Sequence, residues 1–131
     1  MKIYKLSKKD KLKSRKTIEQ LFKNGKTVSV FPLKLIYIKT TPKDNAAMKA
    51  AFSVSKKLHK SAVARNRIKR LLRESYRLQK PCHFNNDSAS YALMILYLSH
   101  KGTTFAEINA CMPLLIKKFL AKTQDHEKAN S

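Results

Sequence analysis

The chain has 131 residues, 43% of them hydrophobic, and carries 29 Lys and Arg against eight Asp and Glu, a formal net charge of +21. That length fits one domain with one modest core, and such a charge repels itself unless a polyanion accompanies it, which points to nucleic acid. A membrane partner is disfavoured, since no apolar run of about 18 residues and no lipidation motif is present; the N-terminus lacks the apolar segment of a secretory signal, and Cys82 and Cys111 read as reduced thiols of a cytoplasmic protein.

In chain order, residues 1–13 form a basic arm with Asp10 its one acid, a composition that orders only on meeting a partner. Ser14 is placed to cap a short helix whose apolar stripe is Ile18, Leu21 and Phe22, and Asn24-Gly25 ends it. Thr27–Val30 and Leu33–Thr40 are rich in β-branched and aromatic residues and read as strands, with Pro32 at a strand boundary. A polar turn over 41–45 leads to a third strand from Lys49 to Ser55. A loop holding Lys56 and Lys57 leads into a second helix, expected to end near Gln79-Lys80, before Pro81. Residues 81–90 read as a polar loop. The continuous apolar run Tyr91–Leu98 predicts an inner strand covered on both faces. After Gly102, Thr104 and Glu107 have capping-box spacing and open a third helix with Ile108, Cys111, Met112, Leu115 and Phe119 on one side. Pro113 inside it predicts a kink. From residue 123 the chain reads as a disordered polar tail, which leaves one domain over 1–122.

The second helix carries the chemistry. At about 100° per residue, with Arg65 set at zero, Lys69, Arg73, Asn66, Arg77 and Arg70 fall between about 40° and 140°. Ile68, Leu71, Leu72, Ser75, Tyr76 and Leu78 fill the opposite arc. Solvated helices usually alternate charge signs, whereas Arg65, Lys69, Arg73 and Arg77 stack like on like, and Glu74 is the only acid between positions 45 and 86. An external anion relieves that repulsion. The amide of Asn66, inside the cationic arc, has several uses open to it: a base edge, a sugar, a phosphate, or fixing a neighbouring side chain.

An independent nuclease would need clustered carboxylates for metal ions or a paired acid and base. The eight acids and four histidines are scattered, and with only Gly25 and Gly102 no glycine-rich phosphate loop exists. No catalytic residue is assigned to this chain.

The run Ser55-Lys56-Lys57, then Ala62-Val63-Ala64-Arg65-Asn66-Arg67-Ile68-Lys69-Arg70-Leu71-Leu72-Arg73-Glu74, resembles the signature of the bacterial ribonuclease P protein component. The opening Leu12–Arg15, the stretch Leu21–Gly25 and the element order support the resemblance over roughly residues 10–120. It implies an α+β fold, a two-layer α/β sandwich of order α-β-β-β-α-β-α with a four-stranded sheet and a left-handed β-α-β crossover, against the usual hand of such connections. It implies a subunit of an endoribonuclease that removes the 5′ leader of precursor tRNA in the cytoplasm, with catalysis by an RNA subunit and Mg2+ held mainly by that RNA. The partners implied are that RNA and the precursor, with no further protein. Carried onto this sequence, Lys56, Lys57, Lys60, Arg65, Asn66, Arg67, Lys69, Arg70, Arg73 and Arg77 bind the RNA subunit. Arg15, Ile18, Phe22, Lys34 and Ile36 line a cleft for the leader, where base stacking and cations hold single strands. Ile18 and Ile36 stand where the family often has aromatic residues, which leaves stacking mostly to Phe22; plain core packing is the other reading of Ile18, Phe22 and Ile36. The alternative function is a small basic ribosomal-type RNA-binding protein, which charge and size fit equally well.

Overall fold

Side chains alternate across a strand, so Leu33, Leu35 and Tyr37 leave the chain on one side and Lys34, Ile36 and Ile38 on the other. The computed structural model, which describes residues 15–40, 48–83 and 90–129, packs the two sides against different helices. Its elements are α1 (Arg15–Asn24), β1 (Lys26–Val30), β2 (Leu33–Thr40), β3 (Met48–Val54), α2 (Ala62–His83), β4 (Ser90–Tyr97) and α3 (Phe105–Ala129). The order matches the α+β expectation. The basic arm, Ser14 as a cap, the turn over 41–45 and the side chain of Cys82 lie outside the described residues.

The strands form one mixed sheet in the order β1-β2-β4-β3. β1 runs antiparallel to β2 with Val28 opposite Leu35, and β2 antiparallel to β4 with Ile36 opposite Met94. β3 and β4 are parallel neighbours, with Phe52 opposite Ile95, so α2 is the crossover that joins them. The β1–β2 turn holds a cis Phe31-Pro32 peptide. As its unbroken apolar run predicts, β4 is an inner strand, and Tyr91 to Ile95 are all buried.

One sheet face is closed by α2 and α3. Ile68, Leu72 and Tyr76 of α2 and Ile108, Met112, Leu115, Ile116 and Phe119 of α3 meet Leu33, Leu35, Tyr37, Leu93 and Ile95 in a single core. Phe119 sits edge-on to Tyr37, ring centroids 5.0 Å apart, and to Tyr91 at 5.4 Å. Between the two helices the buried Ser75 hydroxyl donates to Asn109 Oδ1 at 2.8 Å, and Gln79 Nε2 donates to the same oxygen. Among the described residues the other face meets only α1, where Leu21 packs on Ile36, Ala92 and Met94, with Ile18, Ile38, Ala51 and Leu96 half-buried around them.

Gly25 ends α1 as expected, its amide donating to the Leu21 carbonyl at 2.9 Å. Its φ is not positive; glycine is required there by proximity. A Cβ would press into the Leu21 carbonyl oxygen and come within 2.5 Å of Ile36 Cγ2.

Two boundaries depart from the sequence expectation. α2 runs through Pro81 to His83, because a proline in a last turn forfeits one bond, to the Arg77 carbonyl, beside carbonyls that a helix end leaves orphaned anyway. Pro113 lies inside α3, as expected. A mid-helix proline costs about 3 kcal/mol, whereas Met112, Leu115, Ile116 and Phe119 on either side are fully buried, each worth about 1.5–3 kcal/mol. Finally, α3 continues to Ala129 where a disordered tail was expected. Nothing from Thr123 to Ala129 breaks a helix, and most of these residues propagate one well. Thr123 itself is buried, its hydroxyl bonded to the Leu120 carbonyl at 2.9 Å. No helix among the described residues is long and apolar enough to cross a membrane.

Candidate nucleic-acid interface

The geometry of the basic helix begins at its cap. Ser61 Oγ accepts from the Ala64 amide at 3.2 Å, and the Ser61 carbonyl receives the Arg65 amide at 3.0 Å, so Ser61 caps α2 and satisfies two donors of its first turn. The preceding loop is wound on Ser55, whose hydroxyl accepts from the Lys57 amide and whose carbonyl accepts from the His59 amide. Burying Ile68, Leu72 and Tyr76 then fixes the rotation of the helix. That rotation leaves Lys56, Lys57, Lys60, Asn66, Arg67, Arg70 and Arg73 exposed and Arg65, Lys69 and Arg77 half-buried.

These cations are not equivalent. The Arg65 guanidinium donates through one Nη to the carbonyls of His59 and Lys60, both at 2.9 Å, and so fastens the lysine loop to the helix. Arg67 donates to the Thr103 carbonyl at 3.1 Å, bracing α2 against the start of α3. Arg77 pairs with Glu74 one turn back, and that hydrogen bond raises its pKa further above the ordinary arginine value. Lys69, Arg70 and Arg73 make no hydrogen bond or ion pair with a described side chain, and with Lys56, Lys57 and Lys60 they form the open part of the ridge. A sequence shows charge, not partner, so the anchoring duties of Arg65 and Arg67 and the neutralisation of Arg77 were not readable from it.

The second group lies on the α1 side of the sheet. Arg15 and Phe22 are exposed on α1, Phe22 at 58%, while Ile18 is half-buried over the small cluster. Lys34 is half-buried on the same sheet face as Ile36, which at 7% exposure lies under α1 rather than along an open wall. Phe22 thus offers a ring to solvent and Ile36 does not. Strand alternation adds residues that the sequence reading passed over: Lys49, Ala51 and Ser53 of β3 and Leu96 of β4 share this face and extend its floor toward the β3 edge. The register of β3 against β4 was the missing signal, and the alternation in Lys49-Ala50-Ala51-Phe52-Ser53 was its only trace.

A third set of bonds holds the end of the sheet where β3 and β4 finish. His59 Nε2 lies 2.8 Å from the Ser99 carbonyl, with its ring against Tyr97 at 5.8 Å. Tyr97 donates to the Lys101 carbonyl at 2.9 Å. The Thr104 hydroxyl caps the Glu107 amide at 3.3 Å, and Glu107 accepts from Thr103 rather than closing the full capping box. Among the described residues no three His, Cys, Asp or Glu side chains come together.

Comparison with known proteins agrees with this arrangement. The family model "Ribonuclease P" matches residues 6–120. A ribonuclease P protein component of Porphyromonas gingivalis is 43% identical over 82 residues, which are 63% of this chain and 58% of the relative. That match therefore spans less than two thirds of the relative's length. One from Clostridium kluyveri is 33% identical over 108 residues, covering 82% of this chain and 92% of the relative. Among solved structures, the RNase P protein of Staphylococcus aureus has a TM-score of 0.66 at 24% identity, covering 82% of this chain and 93% of that one. That of Thermotoga maritima has 0.64 at 18%, covering 82% and 96%. At such identities the two structures speak for the fold alone. With the family model matched across nearly the whole described fold, the chain belongs to the ribonuclease P protein family.

Proposed function

We propose that this chain is the protein subunit of a cytoplasmic ribonuclease P. In this reading it binds the catalytic RNA along Lys56, Lys57, Lys60, Arg65, Asn66, Arg67, Lys69, Arg70 and Arg73, and holds the 5′ leader of precursor tRNA beside Arg15, Phe22 and Lys34. The RNA cuts the leader, and the protein positions both strands. The carrying observation is the open ridge: on a helix whose apolar side packs largely into the core, cations without a described acidic partner face outward. A ridge of one sign repels a metal ion, so Mg2+ is assigned to the RNA. The names of the relatives favour the subunit role over a ribosomal-type RNA-binding protein, which would share the charge but not the ordered Arg65-Asn66-Arg67 segment.

Precursor tRNA cleavage at low Mg2+ tests this directly, comparing the protein alone, the RNA subunit alone and both together. Stimulation only in the mixture is expected. Cleavage by the protein alone would mean an independent nuclease, and no stimulation would leave a generic RNA binder. If about six phosphates are neutralised, log affinity for the RNA subunit falls with log salt at a slope of roughly −4 to −5. Lys69→Ala shrinks that slope by about one unit; a wild-type slope near zero would falsify the polyanion contact.

A further inference from the structure

We infer that Phe31, in the turn between β1 and β2, is a base-stacking contact for an unpaired nucleotide of the same RNA subunit that the α2 ridge holds. The inference rests on the ribonuclease P reading and adds a site outside both residue groups assigned to it.

The turn leaves Phe31 73% exposed, although Val30 before it packs against the core and Leu33 after it is fully buried. Leu98, 37% exposed, lies next to the turn, because its amide donates to the Pro32 carbonyl at 2.7 Å and carries the β2–β4 ladder one step further. Single exposed apolar side chains are ordinary. This one is set apart by what its turn is bonded to.

From Pro32 the contact passes to Leu98, and the adjoining Ser99 carbonyl meets His59 Nε2 at 2.8 Å. The carbonyls of His59 and Lys60 are in turn held by Arg65. The hairpin turn, the loop after β4, the lysine loop and the first turn of α2 are therefore one continuous, mutually bonded end of the molecule. Lys56, Lys57, Lys60 and Lys101 are exposed on it, as is Arg67. Glu107 is the one acidic side chain described at this end, and it accepts from Thr103. An aromatic face at the same end as that many cations matches a ligand carrying phosphates and flat rings together. Single-stranded RNA is that ligand: stacking on a phenyl ring does not depend on base identity, and the neighbouring phosphates answer the lysines. An apolar protein surface would take the ring but leave the lysines unanswered.

Stacking and phosphate contact are separable, because only the second releases counterions. The experiment measures affinity of the full chain for the RNA subunit across a salt series, with wild type, Phe31→Ala, Phe31→Trp and Lys69→Ala, and probes the bound RNA chemically for unpaired bases. Phe31→Ala is expected to weaken binding roughly tenfold at every salt concentration, with the slope unchanged. Phe31→Trp restores the affinity, and one nucleotide protected by wild type becomes reactive with Phe31→Ala. Wild-type affinity for Phe31→Ala overturns the inference, whether or not the turn captures another protein. So does a loss that Phe31→Trp shares, which would report a disturbed turn, or a loss confined to leader-bearing precursor. If Lys69→Ala alters the slope while Phe31→Ala changes nothing, the ridge stands and this site falls. If wild type shows no salt-dependent binding, the ribonuclease P reading falls first.

Discussion

The two faces of the sheet spend the same kind of residue on opposite ends. The α2/α3 face gathers three helical turns of α2 and the length of α3 over Leu33, Leu35, Tyr37, Leu93 and Ile95, and its side chains are closed to water. The α1 face has one short helix held chiefly by Leu21 over Ile36, Ala92 and Met94, and it leaves Phe22 in solvent with Leu96 half-covered. One face supplies stability and the other surface. A domain of this size needs one well-filled core, and the face it does not need for that purpose is free to meet a ligand.

The sharpest way to break this contrast is to cut into each face in turn. Phe119→Ala removes a ring that touches Tyr37 and Tyr91 and is expected to cost about 3–5 kcal/mol in urea unfolding; a loss below about 1 kcal/mol would mean that the closed face is not the main core. Gly25→Ala attacks the other side through backbone crowding, since the new methyl meets the Leu21 carbonyl and Ile36. Its expected cost is about 1–3 kcal/mol, with α1 displaced and leader-bearing precursor bound more weakly. Asn109→Ala takes the acceptor from the buried Ser75 hydroxyl and should cost about 1–3 kcal/mol, without changing affinity for the leader. Phe22→Ala is the converse. Its ring is exposed, so unfolding should move by no more than about 0.5 kcal/mol, while affinity for leader-bearing precursor falls and that for leaderless tRNA holds. An unchanged affinity for the leader would return Phe22 to the status of an ordinary exposed side chain.

Where sequence reading succeeded, local chemistry and packing agreed. The β-branched run of β2, the all-apolar run of β4, the Thr104 cap and the stripe of Ile68, Leu72 and Tyr76 each follow from neighbours within a turn or two. It failed where a local rule was applied too strictly: Pro81 is a breaker by itself, yet α2 runs through it to His83. Pro113 was expected inside α3 and lies there, where the fully buried side chains around it outweigh the lost bond. The glycine at position 25 was legible as a stop, but its reason, the nearness of Ile36 from another element, was not. The pairing of β3 beside β4 follows from the family resemblance and not from periodicity, which is why Lys49, Ser53 and Leu96 were missed on the open face. In the candidate site the positions of the cations were legible from helical spacing, whereas their division into anchors and open contacts depends on carbonyls of His59, Lys60 and Thr103 that spacing does not show.

That division gives the smallest and most selective effect. Lys69 and Arg77 lie on the same arc of α2, two turns apart, and sequence alone ranks them as equal phosphate contacts. The structure separates them, because Arg77 already has Glu74 as a partner and Lys69 has no described acid. A solvent-screened pair of this kind adds little to stability, and it bears chiefly on how readily the guanidinium meets a phosphate. Lys69→Ala should then reduce the salt slope of RNA-subunit binding by about one unit, and Arg77→Ala by clearly less. Equal losses for Lys69→Ala and Arg77→Ala would show that the RNA takes Arg77 from its acid and that the ridge extends the full length its spacing describes.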